Sequence, residues 1–191
     1  MDTSNQIKVW DLFIRVFHWT LVLAFTIAYT TDDDLELLHT WSGYLIVALL
    51  VMRIVWGFVA SEHARFNDFV TSLAVAKDYF KQTLRHKARR YIGHNPAGGW
   101  MVLLLIIGLL ITCFSSIVLY TVEDQAGPLS STVLGGYKHW EDFFEGLHEA
   151  FANLTRLLVF LLIGGVVVES LIHRENLVRA MWYGYKRSPH P

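Results

Sequence analysis

The sequence predicts an all-α membrane protein, a bundle of four transmembrane helices with the N and C termini both cytoplasmic. Three observations carry that prediction. The chain is 53% hydrophobic over 191 residues, and the apolar residues gather in four long blocks rather than at amphipathic spacing. Each block is about as long as the roughly 20 apolar residues that cross a bilayer core. The basic residues are sorted between alternate connections, as they are in proteins that keep positive charge in the cytoplasm.

The spans are placed at about residues 12–30, 40–60, 100–120 and 148–172. The third is the clearest, because residues 101–111 contain no polar side chain. A soluble bundle would need a polar face on each helix. The fourth is interrupted by Arg156 and Glu169. The opening MDTSNQIKVWD carries no basic run and no small-residue cleavage site, so the first block is read as a retained anchor rather than a signal peptide.

Charge sets the orientation. Lys8 and Arg15 flank the start of the first span, and seven basic residues, Arg65 to Arg90, lie between the second and third. Arg174, Arg179, Lys186 and Arg187 follow the fourth. The other two connections carry Asp32, Asp33, Asp34 and Glu36, then Glu123, Asp124, Glu141, Asp142 and Glu145, with Lys138 as their one Lys or Arg. Those acidic connections are therefore expected outside.

The basic connection, residues 61–99, repeats Phe66, Phe69, Val70, Leu73, Phe80 and Leu84 at helical spacing with Lys77, Lys81 and Arg85 between them. The pattern fits an amphipathic helix on the inner membrane surface, and it fits a helix packed on the end of the bundle equally well. Residues 93–99, GHNPAGG, break that helix and lead into the third span. Residues 127–136 read as a turn-rich excursion, and residues 141–147 as a short helix before the fourth span. Neither internal repeats nor low-complexity stretches divide the chain, so a single domain over residues 1–191 is expected.

Three histidines sit in or at the mouths of the apolar blocks: His18, His39 and His148. Ionisable groups there are costly and are functional candidates by default. His39 and His148 open the second and fourth spans at their outer ends, hence at one depth. Two imidazoles facing each other across a helix bundle can hold a haem iron from both sides. The bland alternative is a pair of interfacial histidines bonded to water or loops.

His18 lies about six residues inside the first span, roughly 9 Å deep at 1.5 Å per residue. It would serve an inner site. The position matched to it on the fourth span is fourteen residues past His148, nearly four turns on and on the same face. That residue is Leu162, which cannot ligate iron. Arg53 stands fourteen residues past His39, where it would neutralise a haem propionate or snorkel to the head groups. Arg156 has no easy snorkelling route and calls for a carboxylate, backbone carbonyl or propionate partner. The remaining histidines (His63, His86, His94, His139, His173 and His190) read as solvated or interfacial, with His94 and His173 as unorthodox alternatives for an inner ligand.

Cys113 is the single cysteine and no CxxCH occurs, so any haem is non-covalent haem b. Phosphate loops, HExxH and the nucleophile elbow are missing from the sequence. Nothing points to nucleic acid.

The runs KVWDLFIRVFHW, HTWSGYLIVALLVMRIVWGF, GHNPAGG, LHEAFANL and ESLIHRENLVRAMWYGYKR together resemble the bacterial cytochrome b561 family, most of all the b-type cytochrome subunits that accompany nickel–iron hydrogenases. The resemblance covers nearly the whole chain except the outer loops. It implies a bacterial inner-membrane electron carrier with two stacked b haems. It also implies that His39 pairs with His148, and that His18 pairs with a second histidine on the fourth helix. Leu162 stands at that second position, so the inner haem is either missing, held by His18 alone, or held with a substitute ligand.

The expected function is electron transfer between the quinone pool and a periplasmic redox partner, a hydrogenase-like protein or a c-type cytochrome. The alternatives are a haem-containing membrane anchor for a periplasmic oxidoreductase, and a five-coordinate haem acting as a small-ligand sensor or reductase. Lipid surrounds the chain in each case, and a homodimer is compatible with so small a bundle.

Overall fold

A computed structural model describes residues 6–31, 35–60, 63–131 and 140–188. Asp32, Asp33, Asp34, Gly136, Lys138, His139 and His190 lie outside those residues, so the expectations placed on them, including most of the excursion at 127–136, are not addressed by it.

The order is β1 (Gln6–Lys8), α1 (Leu12–Thr30), α2 (Glu36–Val59), α3 (Phe66–Phe69), α4 (Leu73–Leu84), α5 (Pro96–Asp124), α6 (Glu141–Ile172), α7 (Leu177–Tyr183) and β2 (Tyr185–Arg187). Four of these helices, α1, α2, α5 and α6, are long and apolar enough to cross a membrane. The expected four-helix membrane bundle is therefore present, with its boundaries moved.

The third and fourth spans begin earlier than their apolar runs. Asn95 caps α5, its side chain accepting from Gly98 N at 2.6 Å, and Pro96 takes the first helical position. Pro is preorganised for that position and lacks the N–H that would be unsatisfied there. GHNPAGG is thus a helix start, not a spacer ending at residue 99. The helix expected at 141–147 fuses with the fourth span, and Glu141 and Asp142 fall in its first turn, where negative charge complements the helix dipole. The second span likewise starts at Glu36 rather than Thr40.

Core packing is concentrated in α1, α2 and α5, through Ala24, Ile46, Leu50, Ile106, Leu109 and Cys113. The helix α6 lies along α5, and Thr155 is its one buried residue. A methyl group added at Gly108 of α5 would stand 2.8 Å from Thr155 Oγ1, so the two backbones approach as closely as small residues in lipid allow.

The basic connection is broken in two by extended residues between α3 and α4. Ser72 caps α4, and Thr71 O accepts from Trp100 Nε1 at 2.9 Å. The segment packs on the end of the bundle, with an amphipathic division of its residues. Phe69, Ala76 and Tyr79 are buried against the bundle end, while Leu73, Phe80 and Leu84 stay more than half exposed.

One element had no counterpart in the sequence reading. β1 pairs antiparallel with β2, Gln6 opposite Arg187 and Lys8 opposite Tyr185. The two ends of the described chain thereby meet at one end of the bundle. Gly184, in the left-handed region at φ 89, turns its carbonyl to Val9 N at 2.8 Å and Trp10 N at 3.1 Å. Arg15 Nε donates to Trp182 O at 2.8 Å.

Arg90 locks this latch, donating to Glu175 Oε1 at 2.8 Å, to Glu175 Oε2 at 3.1 Å and to Arg187 O at 2.6 Å. Burial pushes the Glu175 carboxyl up, but Arg90 and the Arg187 N–H outweigh it and hold it below its ordinary value of 4.5. A depressed carboxylate stabilises the fold above its unfolded pKa and loses that contribution as pH falls through the folded value. The latch should therefore be fully stabilised above the ordinary carboxylate value of 4.5 and weaken progressively as pH falls below it through the lower folded value. Hydrogen-exchange protection factors at residues 6–8 and 185–187 should fall on acidification, and Glu175→Gln should abolish that fall.

Candidate haem site

His39 and His148 come from the N-terminal turns of α2 and the early part of α6, and the fold brings their rings together, edge toward face. Their ring centroids are 6.3 Å apart with an interplanar angle of 68°. Each ring is anchored from behind. His39 Nδ1 donates to Ala28 O of α1 at 2.8 Å, and His148 Nδ1 donates to Thr112 O of α5 at 3.1 Å. A carbonyl oxygen can only accept, so in the neutral rings Nδ1 carries the proton and Nε2 keeps its lone pair.

That arrangement suits a metal between the rings. Metal-bound histidines regularly give their second N–H to a carbonyl, which fixes tautomer and ring direction. With metal–nitrogen bonds of about 2 Å, one nitrogen from each ring on opposite sides of an iron sets the ring centres roughly 6 Å apart. All four long helices contribute: α2 and α6 the rings, α1 and α5 the carbonyls. One turn below His39, a Cβ added at Gly43 would meet nothing within 4 Å, so a flat group has room beside that face. The residues present fit a haem b held non-covalently.

The other candidates are distributed differently. His18 is half-buried on α1, its ring edge-on to Trp19 at 5.1 Å, and its Nδ1 is buried without a hydrogen-bond partner in the protein. Leu162 is half-buried on α6. Arg53 does not snorkel. It is 3% exposed, one nitrogen donates to Ala64 O at 3.2 Å, and its guanidinium lies over the Phe66 and Phe69 rings at 4.9 and 5.8 Å.

Arg156 finds side-chain acceptors in place of the carboxylate or backbone carbonyl expected for it. It donates to the Tyr29 hydroxyl and to Asn153 Oδ1 at 2.7 Å, and its guanidinium lies 5.4 Å from the centre of the Tyr29 ring. A tyrosine on α1 and an asparagine one turn back supply the acceptors.

His94 is the largest departure from the sequence reading. It does not sit free in its loop: its ring packs against Trp10 at 4.8 Å and Phe69 at 4.6 Å. Burial first, then the charges of Arg53, Lys186, His18 and His63, push its pKa down to about 3. The ring is therefore neutral at physiological pH. His173 pairs with Glu169 at 3.1 Å, and Glu169 also accepts from the Tyr79 hydroxyl at 2.8 Å. The apolar run after GHNP gave no sign that its histidine turns inward, because the rings that cover it come from residues 10 and 69.

The family model for prokaryotic cytochrome b561 matches residues 9–184, a stretch that holds both facing histidines and both packed ends. The chain belongs to the prokaryotic cytochrome b561 family. It is 22% identical over 216 residues to the "Probable Ni/Fe-hydrogenase B-type cytochrome subunit" of Rhodobacter capsulatus, covering 95% of this chain and 82% of that one. Proteins of the same description from Rhizobium leguminosarum bv. viciae and Azotobacter vinelandii are also 22% identical, covering 94% and 96% of this chain and 88% and 89% of theirs. This b561 chain is accordingly a multi-pass membrane b-type cytochrome in electron transfer, and its family implies haem b as cofactor.

Proposed function

We propose that this cytochrome carries electrons between the quinone pool and a periplasmic redox partner across the bacterial inner membrane, through a haem ligated by His39 and His148. The facing, carbonyl-anchored pair carries the reading. When bound there, a b haem supplies reversible one-electron redox chemistry. The chain's own part is to fix both rings in the ligating tautomer, to surround the site with apolar helix faces, and to set its depth in the bilayer. The single domain takes in the whole chain, with the latch and the basic segments on the cytoplasmic side by the positive-inside rule. His39 and His148 then lie toward the periplasm, beside the acidic connections.

The relatives' description as hydrogenase subunits supports a hydrogenase-like protein as partner, and a c-type cytochrome would meet the same acidic connections. The test uses the purified full chain in sealed vesicles under anaerobic conditions. Added quinol should reduce the haem, read from its visible bands. A haem that dithionite reduces but quinol does not would overturn the reading and leave a membrane anchor with a structural haem.

A further inference from the structure

The helix α4 presents three faces. Ala76 and Tyr79 are buried against the bundle end, with Thr83 partly buried on the same side. Leu73, Phe80 and Leu84, spaced seven and four residues apart, form an adjoining stripe that is more than half exposed. Beyond that stripe, Lys77, Lys81 and Arg85 recur every four residues and stack in one exposed ridge. Like charges at that spacing repel, so the ridge works against its own helix unless an anion neutralises it.

Two hydrogen bonds fix where α4 lies. Trp100 Nε1, near the start of α5, donates to Thr71 O at 2.9 Å, and the Tyr79 hydroxyl donates to Glu169 Oε1, near the end of α6, at 2.8 Å. The helix therefore runs along the ends of two spans, where they pass from hydrocarbon to head groups. The chain then turns at His86, in the left-handed region at φ 55, and Lys87 N donates back to Gln82 O at 2.9 Å. His86 forms one wall of an open cleft of about 220 Å³ whose other walls are Val168, Leu171 and Ile172 of α6. Val168 and Leu171 are exposed, so the cleft opens toward the surrounding bilayer.

The two parts of this cleft differ in chemistry. Its α6 walls are hydrocarbon and suit an acyl chain. Its mouth is basic, because Arg85 and Lys87 flank His86 in the chain and Lys81 lies one turn before Arg85. Nearby carboxylates are already engaged: Asp78 accepts from Gln82 at 2.6 Å, Glu169 from Tyr79, and Glu175 from Arg90. Among the described residues, the ridge has no carboxylate to itself.

We propose that the ends of α4 and α6 together bind one anionic phospholipid, its phosphate among Lys81, Arg85, His86 and Lys87 and one acyl chain against Val168, Leu171 and Ile172. Leu73, Phe80 and Leu84 rest among the neighbouring chains of the same leaflet. The bound phosphate relieves the repulsion along the ridge and pins α4 to the bundle. The inference rests on the four membrane spans, and on neither haem nor quinone.

The test is native mass spectrometry of the purified full chain, released from micelles that contain phosphatidylglycerol or phosphatidylcholine with the same acyl chains. One phosphatidylglycerol should stay bound, with an affinity more than about tenfold above that of phosphatidylcholine, since each basic residue near an anionic head group contributes about fivefold. Lys81→Gln/Arg85→Gln/Lys87→Gln should bring the two affinities within about twofold of each other. Val168→Phe leaves the charge unchanged and fills the cleft, so it should weaken phosphatidylglycerol retention severalfold. Equal affinities of the wild type for the two lipids would overturn the inference without recourse to any variant. A triple variant that keeps the full preference, or a Val168→Phe variant that holds the lipid as the wild type does, would overturn it too. Displacement of phosphatidylglycerol by a stoichiometric amount of an uncharged short-chain quinone would likewise contradict it, giving the cleft to a neutral ligand.

Discussion

His148→Ala strips the haem held between α2 and α6, and His39→Ala does the same. Each substitution removes one of the two rings whose centres lie 6.3 Å apart. Losing even a residue that merely orients a metal ligand typically weakens binding by about 10–100-fold, so losing a ligand should cost more than about 100-fold. The bundle should survive, because neither ring belongs to the buried core of Ala24, Ile46, Leu50, Ile106, Leu109 and Cys113. Haem content and the low-spin visible spectrum check this, with circular dichroism confirming that helix content is unchanged. Haem retained at full occupancy in both variants would mean that the anchored pair is structural.

Gly99→Val has the largest expected effect on stability. Gly99 lies in the first turn of α5, and a Cβ there would stand 2.4 Å from Phe69 O and 3.1 Å from the Phe69 ring. The first contact is with backbone, so no rotamer change relieves it. Relief requires moving α3 away from α5, which also withdraws the Phe69 ring from His94 and Arg53. Overpacked cores lose about 1–3 kcal/mol, and this site belongs at the upper end of that range. For a chain of this size about 2–4 °C is lost per kcal/mol, so thermal unfolding in detergent should fall by several degrees. The same variant should disturb those contacts and leave the His39–His148 pair alone, since that pair is anchored by Ala28 and Thr112 at the other end. An unchanged melting temperature would show that α3 is not docked where the structure places it.

The parts of this protein legible in the sequence are those governed by a single repeat distance. Four apolar blocks translate into four spans through helix rise alone. The same arithmetic puts His39 and His148 at one depth, and the structure brings their rings together. The boundaries were harder. Asn95-Pro96 is a helix-start signal, yet the glycines at 98 and 99 read as a break, and it took the cap from Asn95 to Gly98 N to settle which dominates. Glu141 and Asp142 were expected in a helix of their own, and its continuity with the fourth span was hidden because the favourable term there is the helix dipole, not hydropathy.

What the sequence could not show depends on residues far apart in the chain. The latch joins residues 6–8 to residues 185–187, and no local propensity marks either strand. Arg156 finds Tyr29 rather than a carboxylate, across a separation of 127 residues. His94 looked like a loop histidine because its cover comes from Trp10 and Phe69. Such pairings are set by how the helices pack, and one sequence alone carries no register for that.

The most direct test of the central claim is near-infrared magnetic circular dichroism of the oxidised, purified chain, because that signal reports the axial ligands of a low-spin haem. The wild type should show a bis-imidazole haem, and the His39→Ala/His148→Ala double variant should lose the part of that signal belonging to this site. A wild-type spectrum without a bis-imidazole haem, or a double variant whose spectrum and haem content match the wild type, would contradict the assignment of His39 and His148 as the axial pair.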